Sequence, residues 1–248
     1  MTDIGDVSAL EVTIRKSLKV NGWALVSDFQ PDNDGGIRLL ELATVLGKVC
    51  VMRRDGSSLL ETSCDPDAPA WEPFNRPEAI GWHNDFSTWT KRPTLSLAWI
   101  RSVPASNEGR GDWRVVNCSD VIASMETSSE GRRSLAFLRQ TELPFVFAPN
   151  EPVVRFRVLE SEANSKVRFY GHAIRLGLST APNRQASEAI EAWERNADKV
   201  GCRLTAAPGA LLICDNWMSM HDRLVQAPGR SSRLVFAHAE EDSHGWGS

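Results

Sequence analysis

Residues 208–223 read Pro208-Gly209-Ala210-Leu211-Leu212-Ile213-Cys214-Asp215-Asn216-Trp217-Met218-Ser219-Met220-His221-Asp222-Arg223. A Pro-Gly turn leads an unbroken apolar run that closes at Asp215-Asn216. A run this short, bounded by turn residues, fits a buried strand. Similar runs recur at 94–100, 145–148, 153–159, 167–170 and 234–239, and 23–29 also reads as a strand. Helical spacing is rarer. Ser8 and Glu11 form a capping-box pattern ahead of Leu10, Ile14 and Leu18, and Asn21-Gly22 stops that helix. Asp34 opens a second helix carrying Ile37, Leu40 and Val45, with Gly47 near its end. Ile190, Trp193, Ala197 and Val200 mark a late helix ended by Gly201. Short strands outnumber helices and no β-α-β rhythm appears. The expectation is a mainly β chain, an antiparallel sandwich or jelly roll with helices packed outside it.

Composition narrows the function classes. The 248 residues are 42% hydrophobic and 24% charged, which is ordinary for a globular chain. The formal net charge of −4 offers no broad basic field for a phosphate backbone, so nucleic acid is not an expected partner. No apolar run reaches the about 18 residues a membrane helix needs, and the first residues lack a secretory pattern. Cys50, Cys64, Cys118, Cys202 and Cys214 are odd in number and show no C-x-x-C pair. Reduced thiols in a cytoplasmic protein follow as the expectation. From 55 to 80 the chain is mostly polar, carries Pro66, Pro69, Pro73 and Pro77, and has no visible period. Such a stretch inside a single domain spanning 1–248 reads as a lid-like loop.

Five histidines are present, and two sit in chemically suggestive contexts. In Gly81-Trp82-His83-Asn84-Asp85-Phe86, His83 and Asp85 are two residues apart. In extended backbone they project to one side and could share a metal. His221 follows far downstream, after the apolar run. Two imidazoles and one carboxylate make the facial set that leaves coordination positions open on non-haem Fe(II). Arg233 then leads the last apolar run, where an unpaired guanidinium would be costly to bury and a carboxylate would satisfy it. Taken singly, an H-x-D tripeptide is usually incidental and a lone His usually structural. The order H-x-D, His, Arg is what carries weight.

That order, with Asn21-Gly22-Trp23-Ala24-Leu25-Val26, Leu46-Gly47, Arg92-Pro93 and the stretch from Pro208 to Asn216, resembles the Fe(II)/2-oxoglutarate-dependent dioxygenases of the taurine dioxygenase and clavaminate synthase-like superfamily. The resemblance covers nearly the whole chain. It implies a double-stranded β-helix core, cupin-like, with His83, Asp85 and His221 as iron ligands and Arg233 on the distal carboxylate of 2-oxoglutarate. Relatives often place a Thr on that carboxylate after a Gly-Gly stretch. Here Gly109-Arg110-Gly111-Asp112-Trp113 puts Trp113 at that place, with Arg223 and Arg230 as other basic candidates. The implied reaction couples decarboxylation of 2-oxoglutarate by O2 to hydroxylation of an unactivated C–H. Related halogenases replace the carboxylate ligand with a small residue, so Asp85 favours hydroxylation over halogenation. Desaturation or cyclisation would use the same iron chemistry. The expected substrate is a small amino-acid-like or carboxylate-bearing molecule, with Trp82, Asn84, Trp89, Arg92, Asp112 and Arg175 as candidate contacts. The rival readings are a metal-binding jelly roll without oxygenase activity, a zinc hydrolase on the same ligands, and a pure interaction domain.

Overall fold

A computed structural model describes residues 6–29, 36–52, 56–69, 72–106, 108–160 and 166–239. The described elements run α1 (Asp6–Asn21), β1 (Trp23–Val26), α2 (Ile37–Leu46), β2 (Gly47–Val49), β3 (Leu59–Ser63), β4 (Leu95–Ser102), β5 (Trp113–Asn117), α3 (Cys118–Glu126), α4 (Ser129–Gln140), β6 (Glu142–Phe145), β7 (Val154–Arg157), α5 (Gly171–Leu178), α6 (Arg184–Val200), β8 (Cys202–Leu204), β9 (Leu211–Asp215), β10 (Ser219–Arg223) and β11 (Ser231–Ala239). Among the described residues, no helix is long and apolar enough to cross a membrane.

The larger sheet has the order β1-β9-β4-β11-β2, and β3 pairs with the first half of β11. A smaller sheet has the order β10-β5-β8, and β6 and β7 form a separate pair. Every named pairing is antiparallel. Successive side chains on a strand point to opposite faces, so each strand of the larger sheet serves two layers. Leu95 and Leu97 of β4, Leu211 and Ile213 of β9, and Val235 and Ala237 of β11 face α1 and α2, where they join Ile14, Leu18, Leu39, Leu42 and Leu46. The alternate residues Ile100, Leu212 and Cys214 face the smaller sheet and pack against Trp113 and Val115 of β5. The outer face of the smaller sheet, with Val116 and Met220, is covered by α3 to α6 around the fully buried Trp193.

Several sequence expectations change. α1 begins at Asp6, so Ser8 lies within the helix. Asp34 lies outside the described residues. On α2 the buried stripe is Leu39, Leu42, Ala43 and Leu46, and Ile37 and Val45 are exposed. β1 stops at Val26, and β6 ends where a strand was expected to start. Residues 167–170 make only isolated pairings, Val167 with Leu159 and Tyr170 with His83, before α5 begins. The 55–80 stretch contains β3. α3 and α4 were not foreseen. Their caps are local, with the Asn117 side chain accepting from Ser119 N–H and Ser128 from Gly131 N–H, but their sparse apolar positions gain meaning only against α6.

Leu97 is fully buried between β4 and the two N-terminal helices. Leu97→Ala is expected to cost about 2–5 kcal/mol of folding stability through lost burial and a residual cavity, read as a lower denaturant midpoint at unchanged slope.

Candidate metal centre and its cavity

The site begins with backbone pairing. His221 occupies the middle of β10, opposite Val115 of β5. On its free side it exchanges both backbone hydrogen bonds with His83, each 3.0 Å. This reciprocal pair sets the two residues directly across from each other. Because Met220 and Asp222 turn toward the helices, His221 and Arg223 turn into the space between the sheets. The imidazole centroids lie 4.3 Å apart. Asp85 completes the group: one carboxylate oxygen is 3.7 Å from His83 Nε2 and the other 3.4 Å from His221 Nε2. One ligand atom from each residue lies within 4.8 Å of the other two.

The supports of this group are specific. His83 Nδ1 lies 2.8 Å from the Gly81 carbonyl, so a proton on Nδ1 leaves Nε2 free as an electron-pair donor facing Asp85. Asn216 Oδ1 accepts from Asp85 N–H at 3.2 Å. Asn84 spends its amide on the Ser219 carbonyl and the Phe169 N–H. Phe86 adopts φ +54°, an unusual conformation for a bulky residue, and its ring packs on Trp89 and Phe236. Burial pushes the His221 imidazole down to about 4, against the upward pull of Asp85. It is therefore neutral near pH 7, the form that ligates a cation.

The three side chains sit in a cavity of about 740 Å³ between the two sheets. Ser96, Ala98, Leu212, Cys214, Ser232, Leu234 and Phe236 line its larger-sheet wall. Trp113, His221 and Arg223 line the other wall. Burial pushes the Cys214 thiol up, so it lines the cavity as a protonated, apolar group.

Arg230 is a second buried cation of this cavity, beside Arg223. It is 3% exposed, and Nη1 donates to Ser232 Oγ at 3.1 Å. Its Nε has no hydrogen-bond partner, and no carboxylate pairs with it among the described residues. Burial and then the neighbouring Arg223 pull its guanidinium down to about 9, which still leaves it charged near pH 7. Its stem lies against Gly111, where φ is +67° and an added Cβ would meet Arg230 Cδ at 2.6 Å. Thr62 Oγ1 and Ser232 Oγ, 2.6 Å apart, flank it.

Sequence comparison adds little: no family model and no curated protein matches the chain. Solved structures do match in shape. An asparagine oxygenase bound to Fe(II), 2S,3S-3-hydroxyasparagine and succinate superposes with TM-score 0.74 at 17% identity, covering 93% of this chain and 79% of that one. The non-haem iron oxygenase OrfP, in complex with Fe and alpha-ketoglutaric acid, gives 0.69 at 14% identity, covering 93% and 80%. A taurine dioxygenase from Burkholderia xenovorans gives 0.63 at 16% identity, covering 97% and 83%. The fold is that of the taurine dioxygenase-like oxygenases.

Within this oxygenase fold the sequence candidates separate. His83, Asp85 and His221 come together, and Trp113, Arg223, Asn84 and Trp89 line the same cavity. Arg233 does not. It falls on the opposite face of β11 from Ser232 and Leu234, pairs with Glu61 at 2.8 Å, and lies over Trp99. One residue of strand register separates it from the cavity. Trp82 is buried among α3–α6, and its indole N–H donates to Asp198. Arg92 stacks on Trp217 and donates to the Val167 carbonyl. Asp112 holds Arg203 and the Ala206 N–H. Arg175 lies on α5, not on a strand, and pairs with Glu194. None of these last four lines the cavity. Tyr170, Thr62 and Ser232 were missed as site residues. Alternation along β11 pointed to Ser232, but nothing local marked Tyr170 or Thr62.

The 72–80 segment is fastened to β10 and the residues just after it. Arg223 Nη2 donates to the carbonyls of Pro73, Arg76 and Glu78 at 2.7–2.9 Å, and Gln226 Nε2 donates to those of Phe74 and Arg76. Arg223→Met should release this segment. Deuterium uptake by peptides spanning 72–80 is expected to rise at least several-fold, with β4 and β9 unchanged.

Proposed function

We propose that this chain is a non-haem iron oxygenase that couples oxidative decarboxylation of 2-oxoglutarate to hydroxylation of an unactivated C–H in a small, amino-acid-like or carboxylate-bearing molecule. The observation that carries this is one cavity holding two imidazoles, a carboxylate and a buried guanidinium that no carboxylate pairs with among the described residues. His83, Asp85 and His221 fit Fe(II) as a two-nitrogen, one-oxygen donor set that leaves room for an organic ligand and O2. Arg230, with Ser232 and Thr62 beside it, fits the distal carboxylate of 2-oxoglutarate, in place of Arg233. A dianionic cosubstrate would supply the charge that Arg230 lacks and a bidentate partner for its fork. Bound iron with 2-oxoglutarate and O2 supplies the oxidising chemistry.

The chain's own residues do the rest. Trp113, Leu212, Leu234 and Phe236 keep the cavity apolar and exclude water. Segment 72–80, tied by Arg223, forms its cover. Trp89 and Phe147, half-exposed at the cavity wall, are placed to meet the substrate. In this reading the two antiparallel sheets form the double-stranded β-helix core of a single domain working in the cytoplasm. The amino-acid-like substrate class draws support from the solved neighbours, whose complexes hold hydroxyasparagine and (3S)-hydroxy-L-Arg.

The test is succinate release from 2-oxoglutarate with Fe(II), ascorbate and O2, across a panel of amino acids, with mass spectrometry for a gain of one oxygen. His83→Ala and Asp85→Ala are expected to abolish substrate-stimulated release. Arg230→Met is expected to raise the KM for 2-oxoglutarate on the order of 10–100-fold, the worth of a charge-assisted pair, and Arg233→Met to leave it unchanged. Undiminished succinate release in Asp85→Ala would overturn the ligand assignment, and the reverse result for the two arginines would overturn the assignment of the cosubstrate site.

A further inference from the structure

Behind the metal centre, on the helix side of the smaller sheet, lies an ionic cluster that the cavity chemistry does not use. Asp222 follows His221 on β10 and points the other way. Its side chain is fully buried and accepts from three donors: Gly81 N–H at 2.8 Å, Arg114 Nε at 3.0 Å and Arg114 Nη2 at 2.6 Å. Arg114 stands directly opposite Asp222 in the β10–β5 ladder. Its third nitrogen, Nη1, reaches Asp198 near the end of α6 at 2.5 Å, and its guanidinium lies over the Trp82 ring at 4.8 Å. Asp198 also accepts from Trp82 Nε1 at 2.8 Å.

These bonds converge on residues 81–83. Gly81 is held through its N–H by Asp222, and its carbonyl meets His83 Nδ1. Trp82 is held through its indole by Asp198. Arg114 joins the two carboxylates, so the two residues that precede His83 are tied to one guanidinium. Gly81 has φ +85° with nothing within 4 Å of where a Cβ would lie. Crowding at that position does not impose the conformation. A buried carboxylate kept only for stability is a poor bargain against an apolar side chain. One that fixes the peptide orienting a metal-facing imidazole has a further role.

We infer that Arg114, Asp222 and Asp198 form a positioning clamp for His83: they hold Gly81 and Trp82 so that the Gly81 carbonyl keeps the proton on His83 Nδ1 and Nε2 toward Asp85 and His221. The clamp sets metal affinity and ligand geometry from outside the cavity, and none of its members touches substrate or cosubstrate. The inference rests on the iron-site reading given above.

Co(II) binding to the full chain tests it, with affinity from titration and geometry from the visible d–d absorption. Asp222→Asn keeps the shape but turns an N–H2 toward donors that need an acceptor. It is expected to weaken Co(II) binding on the order of 10–100-fold and to change the absorption. Arg114→Lys, with its charge kept and its fork lost, should lie between Asp222→Asn and the parent. Asp198→Asn, at the exposed end, should cost only a few-fold. Asp112→Asn removes a comparable carboxylate next to β5 and should leave affinity and spectrum as in the parent. If Asp222→Asn does not fold, Arg114→Lys and Asp198→Asn decide the matter. Parent-like affinity and spectrum in the clamp variants, with the parent binding Co(II), overturn the clamp alone. A parent that binds no Co(II) overturns the iron-site reading and the clamp with it.

Discussion

The reciprocal backbone hydrogen bonds between His83 and His221 are the constraint on which the site depends. Two residues so far apart in the chain are brought face to face by main-chain pairing, which no side-chain substitution removes directly. Once β10 is zipped to β5 in its observed register, His221 must point between the sheets. A slip of one residue would place Asp222 in the cavity and His221 among the helices. The His83–Asp85–His221 cluster is thus a consequence of sheet register first and of side-chain chemistry second.

The same rule organises the cavity walls. β4, β9 and β11 each send one set of residues toward α1 and α2 and the alternate set toward the site. The helix-facing set is apolar over Leu95, Leu97, Leu211, Ile213, Val235 and Ala237, with Arg233 beyond them on β11, whereas the cavity-facing set mixes Ser96, Ser232 and Cys214 with Leu212 and Phe236. This division lets a rigid core carry a partly polar interior. Hydroxyls and the Arg230 guanidinium are tolerated there because they border a space that a polar ligand can fill, not a sealed core.

Charge is handled differently on the two sides of the smaller sheet. On the cavity side, Arg230 has no carboxylate partner among the described residues, a costly arrangement unless a ligand completes it. On the helix side, Asp222 is matched by Arg114 and by a backbone N–H, leaving no unmet donor between them. Arg223, also facing the cavity, directs its Nη donors to the carbonyls of residues 73, 76, 78 and 224, and so joins segment 72–80 to β10. Three arginines within one region thus serve three purposes, decided by what lies within reach of each.

Much of this was legible in the chain. Apolar runs bounded by turn residues located β4, β7, β9 and β11, the spacing of Ile190, Trp193 and Ala197 located α6, and the H-x-D tripeptide with a distal His named the three residues that meet. Those signals are local, or depend only on residue type and order. Which of Arg230 and Arg233 faces the cavity was not legible, because Arg230 precedes β11 and Arg233 lies on that strand's far face, a placement that strand pairing sets. α3 and α4 escaped because their few apolar positions become a core only against α6. Trp82, Asp112 and Arg175 read as pocket residues in one dimension and turn out to hold Asp198, Arg203 and Glu194. The sequence determined the strand content and the residue types of the His83, Asp85 and His221 cluster. Tertiary structure alone decided which polar groups share a cavity, because partners distant in the chain complete or cancel a buried charge only after the sheets have paired.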